Sequence, residues 1–309
     1  MARLTIIPDN TNIDFVGRRL VAFAVDGLLV VATIVSLYVQ GLNLGIDFTG
    51  GVVIEASSER TIDLGALREK LGTLGFGEVA LQNFGSDKAV LIRVQPSQQV
   101  TGQEQEVANK IKEALGASFK IDRQEAVGPK VSGELFQTGI IATTLAILMI
   151  AAYVWFRFEW QFGVAGMLAT GHDVLVAVGM YSLFQFDFNL TSIAALLLLA
   201  GYSINDTVVV FDRIRENRRK FRQMPLGELI NLSTNQTLSR TFLTSFTTAL
   251  SVIPLILFGG EALFGFAATI LWGIAIGTYS SVFVASCLLL YMPTIKMTQV
   301  KTERAGAQV

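Results

Sequence analysis

One carboxylate stands inside an apolar run long enough to cross a bilayer. The segment Leu190 to Arg222, LTSIAALLLLAGYSINDTVVVFDRIRENRRKFR, holds Asp206 and then stops at Arg213, Arg215, Arg218, Arg219, Lys220 and Arg222. Lipid offers a charge at that depth no partner, so Asp206 must face protein or a water-filled path; such groups mark ion or substrate routes. On a helix, Asp206, Val209, Val210 and Arg213 share a face, being three, four and seven positions apart. Asp206 lies about five residues, roughly 8 Å, from the basic end of the run. Arg240, in TLSRTFLTSFTT, opens the next apolar run at a similar depth. Consecutive antiparallel helices pack as neighbours, which makes Arg240 a candidate counter-ion. The hydroxyls of Thr237, Thr241, Thr244, Ser245, Thr247 and Thr248 either line a wet path or bond back to their own helix and glue helices together.

His172 and Asp173 fall in another apolar run. A His titrates near neutral pH, and a carboxylate neighbour moves that value. Adjacent residues point about 100° apart on a helix, so the two are not expected to face each other directly. Each is a candidate for a relay with Asp206, as are Ser203, Asn205 and Thr207 beside it; the alternative is a buried polar pair that fixes helix register. Asp26 sits near one end of the first apolar run and is expected at the membrane interface beside Arg18 and Arg19. A hydrolase built from His172 and Ser203 lacks a nucleophile elbow and a third group to orient the imidazole. With one His and one Cys (Cys287), the chain has no intramolecular disulfide and no Cys/His metal cluster. No cofactor, metal site or nucleic-acid partner is expected.

These residues need a scaffold. The chain has 309 residues, of which 51% are hydrophobic and 16% charged. That balance fits a polytopic membrane protein with a modest water-exposed part. Apolar runs at about Leu20 to Val39, Leu135 to Phe156, Phe162 to Phe184, Leu190 to Phe211, Leu238 to Phe258 and Leu263 to Met292 each reach about 20 residues, enough to cross a core of about 30 Å as helices. The first run is too long for a signal-peptide core and no small-x-small site follows it, so it reads as an uncleaved span over 20–40. Residues 45–130 read as a separate α+β domain. Val52 to Ile54 is a strand, and Asp63 caps a helix with Leu64, Leu67, Leu71 and Leu74 on one face. Two strands, Val79 to Phe84 and Ala89 to Val94, meet at a turn around Gly85. A helix with Val107, Ile111 and Leu115 on one face and a strand Phe119 to Val127 complete it. The order β-α-β-β-α-β is a ferredoxin-like pattern.

Lys and Arg set the orientation. Arg3, Arg18 and Arg19 (segment 1–19), Arg157, the Arg213 to Arg222 cluster, and Lys296, Lys301 and Arg304 (tail 293–309) mark one side. The loops near Gln185 to Asn189 and Gly259 to Glu261 have no Lys or Arg. Both termini are therefore expected in the cytoplasm and domain 45–130 outside. Residues 135–292 carry spans two to six, with a short basic cytoplasmic helix near 213–235. Gly50 and Gly51 suit a tight turn where the chain enters the domain. Gly273, Gly277, Ser281 and Ala285, four residues apart, form a stripe that lets a neighbouring helix approach closely.

Five stretches point one way: GLNLGIDFTGG, with Gly45, Asp47, Gly50 and Gly51; VGPKVSGEL; HDVLVAVG; GYSINDTVVVFDRIREN, with Gly201 and Asp206; and NQTLSRTF, with Arg240. Together they resemble the SecF family of bacterial Sec protein-export subunits, part of the SecD/SecF group and the resistance-nodulation-division superfamily. The resemblance runs from the first span to the last. It implies half of a transporter-like architecture whose other half is SecD, an obligate partner. It implies a non-enzymatic inner-membrane subunit that associates with the SecYEG channel and YajC, acts on a translocating polypeptide, and couples the proton-motive force to late steps of export. It also implies that Asp206 is the ion-coupling carboxylate and Arg240 its basic partner, a further carboxylate coming from SecD; some members of the family couple to sodium. The competing readings are half of a small-molecule or lipid exporter of the same superfamily, and a passive assembly scaffold.

Overall fold

A computed structural model describes residue 8 and residues 11–96 and 102–293. Arg3, Lys296, Lys301 and Arg304 lie outside the described residues. The elements in chain order are α1 (Arg19–Val39), α2 (Ile46–Thr49), β1 (Gly51–Ser57), α3 (Leu64–Gly72), β2 (Gly77–Phe84), β3 (Ser86–Pro96), α4 (Glu104–Leu115), β4 (Lys120–Val127), α5 (Pro129–Arg157), α6 (Trp160–Phe184), α7 (Leu190–Lys220), α8 (Leu226–Phe258) and α9 (Gly260–Ser280). A π-helical turn at Ser281–Ala285 and two short helical turns extend α9 to Tyr291. Among the described residues, six helices are long and apolar enough to cross a membrane.

Two of them run further than the sequence suggests. No separate basic helix occupies 213–235: α7 continues unbroken to Lys220, and α8 starts at Leu226. The cause is local. The basic stretch is made of good helix formers with acids at helical spacing, and Glu216 pairs with both Arg213 at 2.6 Å and Lys220 at 3.8 Å. The break comes only at Phe221 to Pro225, where Pro225 sets the start of α8. At 31 and 33 residues, both helices exceed the roughly 20 residues a bilayer core requires.

Helices α6, α7 and α9 form the buried centre of the bundle, with α1 against α6. At the end away from the domain, Phe158, Phe162 and Phe211 stack edge to face. Gly166 lets Phe211 and Thr207 pack onto α6. Gly273 and Gly277 lie directly against Leu199 and Ser203 of α7, and a Cβ at Gly273 would collide with the Leu199 side chain. The small-residue stripe is thus the seam between α7 and α9.

The domain is a four-stranded antiparallel sheet in the order β2-β3-β1-β4. Val52 faces Val94 across β1 and β3, and Val53 faces Glu125 across β1 and β4. Helices α3 and α4 cover one face and bury Leu67, Leu71, Val107, Ile111 and Leu115 against Val52, Ile54 and Ile92. Asp63 caps α3 by accepting from the Gly65 and Ala66 amides at 2.8 and 3.1 Å. Four strands and two helices on one face are enough to bury a small core.

The domain is rooted in the bundle. Gly50 and Gly51 have φ of 72° and 121°, and a Cβ on Gly51 would lie 2.6 Å from the Val94 carbonyl oxygen. Only glycine fits that turn. It lets α2 swing the chain from α1 into β1, so Asp47 Oδ2 accepts from the Leu190 amide at the start of α7, at 2.9 Å. The Gly45 amide donates to the Phe188 carbonyl at 2.8 Å. Arg93 of β3 pairs with Asp187 at 2.6 Å and donates to Asn43.

Candidate functional site

Asp206 sits on the buried side of α7, 3% exposed, and its Oδ2 has no hydrogen-bond partner. Its polar neighbours are on α8: Arg240, near enough to act on its charge, and Thr244. No ion pair within 4.0 Å joins Asp206 to Arg240 among the described residues. Thr207 and Thr241, both buried, also hold hydroxyls without partners. The other α8 hydroxyls divide. Thr237, Thr244, Thr247 and Thr248 bond back to carbonyls of their own helix. Ser245 bridges helices: Tyr202 of α7 donates to it at 3.1 Å, and it lies 2.6 Å from Thr278 of α9. Most of this hydroxyl set is therefore glue.

A second polar cluster lies in the bundle. His172 Nδ1 is 3.0 Å from Asp173 Oδ1, and Asp173 Oδ2 accepts from Ser203 and Ser280 at 2.5 and 2.6 Å. Four helices meet there, because Asp26 of α1 places Oδ1 3.6 Å from His172 Nε2. Two sequence expectations fail here. His172 and Asp173 do bond to each other, because their rotamers turn the imidazole back onto its neighbour. Asp26 is not at the interface with Arg18 and Arg19; it is 7% exposed on the side of α1 packed against α6. The sign was there in α1: its buried residues are Ala22, Asp26, Thr33 and Ser36, and the three polar ones share a face at helical spacing. Ser280 and Tyr279 also escaped the sequence reading. Tyr279 donates to the Ala22 carbonyl at 3.0 Å, close to Asp26.

No hydrogen bond or ion pair among the described residues joins this cluster to Asp206. Ser203 is the nearest link, one helical turn before Asp206 on α7. Asn205 and Gly201 point outward and are exposed, so the structure does not gather them into either site. Ser281 bonds back to Thr278. Among the described residues, no group of His, Cys, Asp or Glu has the geometry of a metal site.

At the opposite end from the domain, several arginines are paired. Arg157 bonds Asp212 at 2.6 Å, Arg218 bonds Glu159 at 2.8 Å, and Arg213 bonds Gln236 at 2.7 Å. Asn231 and Asn235 of α8 accept from the Val16 and Ile13 amides, tying the N-terminal segment down.

Six spanning helices, ionisable groups buried between them, and one antiparallel α+β domain inserted after the first span define a multi-pass membrane protein of a transporter-like kind. The family model for the protein export membrane protein SecD/SecF, C-terminal, matches residues 106–294, and that for the SecD/SecF GG motif matches 35–62. The protein translocase subunit SecF of Rhodobacter capsulatus is 43% identical over 305 residues, 94% of this chain and 92% of that one. That of Escherichia coli O157:H7 is 44% identical over 299 residues, 95% and 93% of the two chains. The crystal structure of SecDF, a translocon-associated membrane protein from Thermus thermophilus, superposes with a TM-score of 0.83 at 37% identity, over 93% of this chain and 39% of that one. The chain belongs to the SecF family of protein translocase subunits, a family of export components and not of catalysts. It spans about two fifths of the length of the SecDF chain.

Proposed function

We propose that the chain works with a SecD partner as an ion-driven component of protein export. The observation that carries this reading is the face around Asp206. Asn205 and Arg240 are polar, exposed on α7 and α8, and make no hydrogen bond or ion pair among the described residues. Lipid cannot satisfy such groups. The exposed faces of α1 and α5, by contrast, are apolar: Leu28, Val31, Ile34 and Val35, then Ile140, Leu145, Leu148 and Met149. Those suit lipid, as do Phe242, Leu243 and Phe246 further along α8, whereas the patch around Asn205 and Arg240 suits a second protein half. The SecDF relative holds this region within a longer chain, which fits SecD in that place. SecYEG, YajC and a translocating polypeptide are the further partners that the family implies.

Both termini lie in the cytoplasm and domain 45–130 outside. Arg18, Arg157 and the Arg213 to Arg222 cluster gather at the end away from the domain, in line with the positive-inside bias. Asp206 is the ion-coupling carboxylate. Proton uptake cancels its charge and its attraction to Arg240, and the two halves reseat across the α7/α8 face. Moving one charge across 100 mV supplies about 2.3 kcal/mol, enough to bias an equilibrium of a few kcal/mol. Helix α7 is the lever: Asp206 sits on it, and its outer end is bonded to α2 beneath the domain through Asp47.

Asp206→Asn keeps the shape and removes the titration. The variant is expected to assemble with SecD and to lose gradient-dependent export in membrane vesicles. Export that stays gradient-dependent in that variant removes Asp206 from the central role.

A further inference from the structure

We propose that Asp26, His172 and Asp173 form a second proton-binding site, separate from Asp206, in which one exchangeable proton occupies the gap between the Asp26 carboxylate and His172 Nε2. The argument starts at Asp173. Both of its oxygens are engaged: Oδ2 by the Ser203 and Ser280 hydroxyls, Oδ1 by His172 Nδ1. With Oδ2 filled by two hydroxyl donors, Oδ1 is left as the acceptor in the His172 contact, and the hydrogen between them belongs on Nδ1. That fixes the tautomer and leaves Nε2 with a lone pair aimed at Asp26.

Asp26 has the opposite problem. It is more than nine-tenths buried, and neither carboxylate oxygen has a hydrogen-bond donor. Nε2 is likewise without a partner. The charged or titratable groups facing Asp26 are His172 and Asp173 of α6 and Tyr279 of α9, and no Lys or Arg is among them. With Nε2 unprotonated, two carboxylates lie buried beside a neutral ring, uncompensated in a low-dielectric interior. One proton changes this. It bonds to Nε2 or to an Asp26 oxygen, bridges the 3.6 Å gap after a small closure, and reduces the net charge of the three groups from two negative to one. The proton comes from water and returns to it; no other bond forms or breaks. A sodium ion is the competing occupant, but hard cations take oxygen ligands, and one side of this gap is an imidazole nitrogen.

The site joins α1 to α6, and α6 through Asp173 to α7 and α9. Occupancy therefore sets how tightly the first span is held to the centre of the bundle, independently of the α7/α8 face.

His172 is the only histidine in the chain, so 15N-histidine labelling reports this ring alone. The labelled chain, reconstituted with unlabelled SecD in liposomes, is followed by solid-state NMR from about pH 5 to pH 8, the range in which an imidazole ordinarily titrates. The Nε2 signal is expected to titrate. Its midpoint should move by about one unit, a tenfold change in proton affinity, in Asp26→Asn and stay put in Asp206→Asn. An Nε2 signal that is fixed across this range in the unaltered chain overturns the proposal without any variant. So does an Asp26→Asn midpoint equal to that of the parent. Sodium chloride added at constant pH should leave the spectrum unchanged; an Asp26-dependent response to it makes this a sodium site and overturns the proton assignment. None of these readouts depends on whether Asp206 couples to export.

Discussion

Charge burial sorts the acids of this chain by what they touch. Asp173 is saturated by two hydroxyls and an imidazole, while Asp206 and Asp26 hold unpartnered oxygens. Glu55, in the domain, lies between these cases. Burial raises its carboxyl above the ordinary value of 4.5, opposed by Arg123 at 3.3 Å. A raised folded pKa means that the folded domain binds more protons than the unfolded chain in that window. The contribution of Glu55 is therefore fully present below the ordinary value and is lost as pH rises through the folded one. Glu55→Gln removes that loss, and Arg123 keeps Glu125 at 2.5 Å. Hydrogen-exchange protection of the β1 amides in the variant, relative to the parent, should rise as pH goes from below 4.5 to neutrality; a constant difference would show that Glu55 does not titrate on folding. Reading single residues from sequence worked where one residue broke a pattern, as Asp206 does in an apolar run. It failed for Asp26, whose partner His172 lies 146 positions away. Nothing in a hydrophobic period says which helix will be next to α1.

At the scale of elements, α7 is the most constrained helix. Its start is held twice: Asn189 and Ser192 cap each other's amides, and Asp47 accepts from Leu190. Carboxylates at a helix start are favoured by the exposed amides and by the helix dipole. Asp47→Ala should cost about 1 kcal/mol locally and speed exchange of the Leu190 amide by about fivefold, with the Ser192 amide, bonded to Asn189, little changed. Equal acceleration at both amides would mean that the whole helix end has frayed and that Asp47 is not a discrete tie between α2 and α7. The sequence showed the spans and the succession of strands and helices in the domain because both rest on local periods. It did not show that α7 and α8 continue past the membrane. A dense basic stretch reads as surface, and only the pairings of Glu216 with Arg213 and Lys220 reveal that the stretch is also stable as helix. The GIDFTGG turn was legible as a turn; its bond to a helix start 143 residues later was not.

The whole bundle is asymmetric, and the asymmetry says where its partner must sit. Helices α1 and α5 present Leu28, Ile34, Leu145 and Met149 outward, as membrane-facing helices do. On α7 and α8, a patch of Gly201, Asn205, Ser239 and Arg240 interrupts an exposed surface that otherwise carries Leu198, Phe242, Leu243, Phe246 and Leu250. Small and polar residues are what helix interfaces inside membranes use, because close approach and satisfied polar groups replace the hydrophobic drive that lipid cannot supply. The native Cys287 is buried, so single cysteines can be introduced without replacing it. In membranes holding the full complex with SecD, a photoreactive maleimide placed at Gly201→Cys, Asn205→Cys or Ser239→Cys should crosslink to a SecD helix. The same probe at Leu28→Cys, Ile34→Cys or Leu145→Cys should label lipid. Protonation of Asp206 alters this face and not the lipid-facing one, so collapsing the ion gradient should change the yields of the first set by severalfold and leave the second unmoved. SecD adducts arising equally from α1 and α5 would place the partner elsewhere and leave Asn205 and Arg240 without the neighbour their chemistry demands.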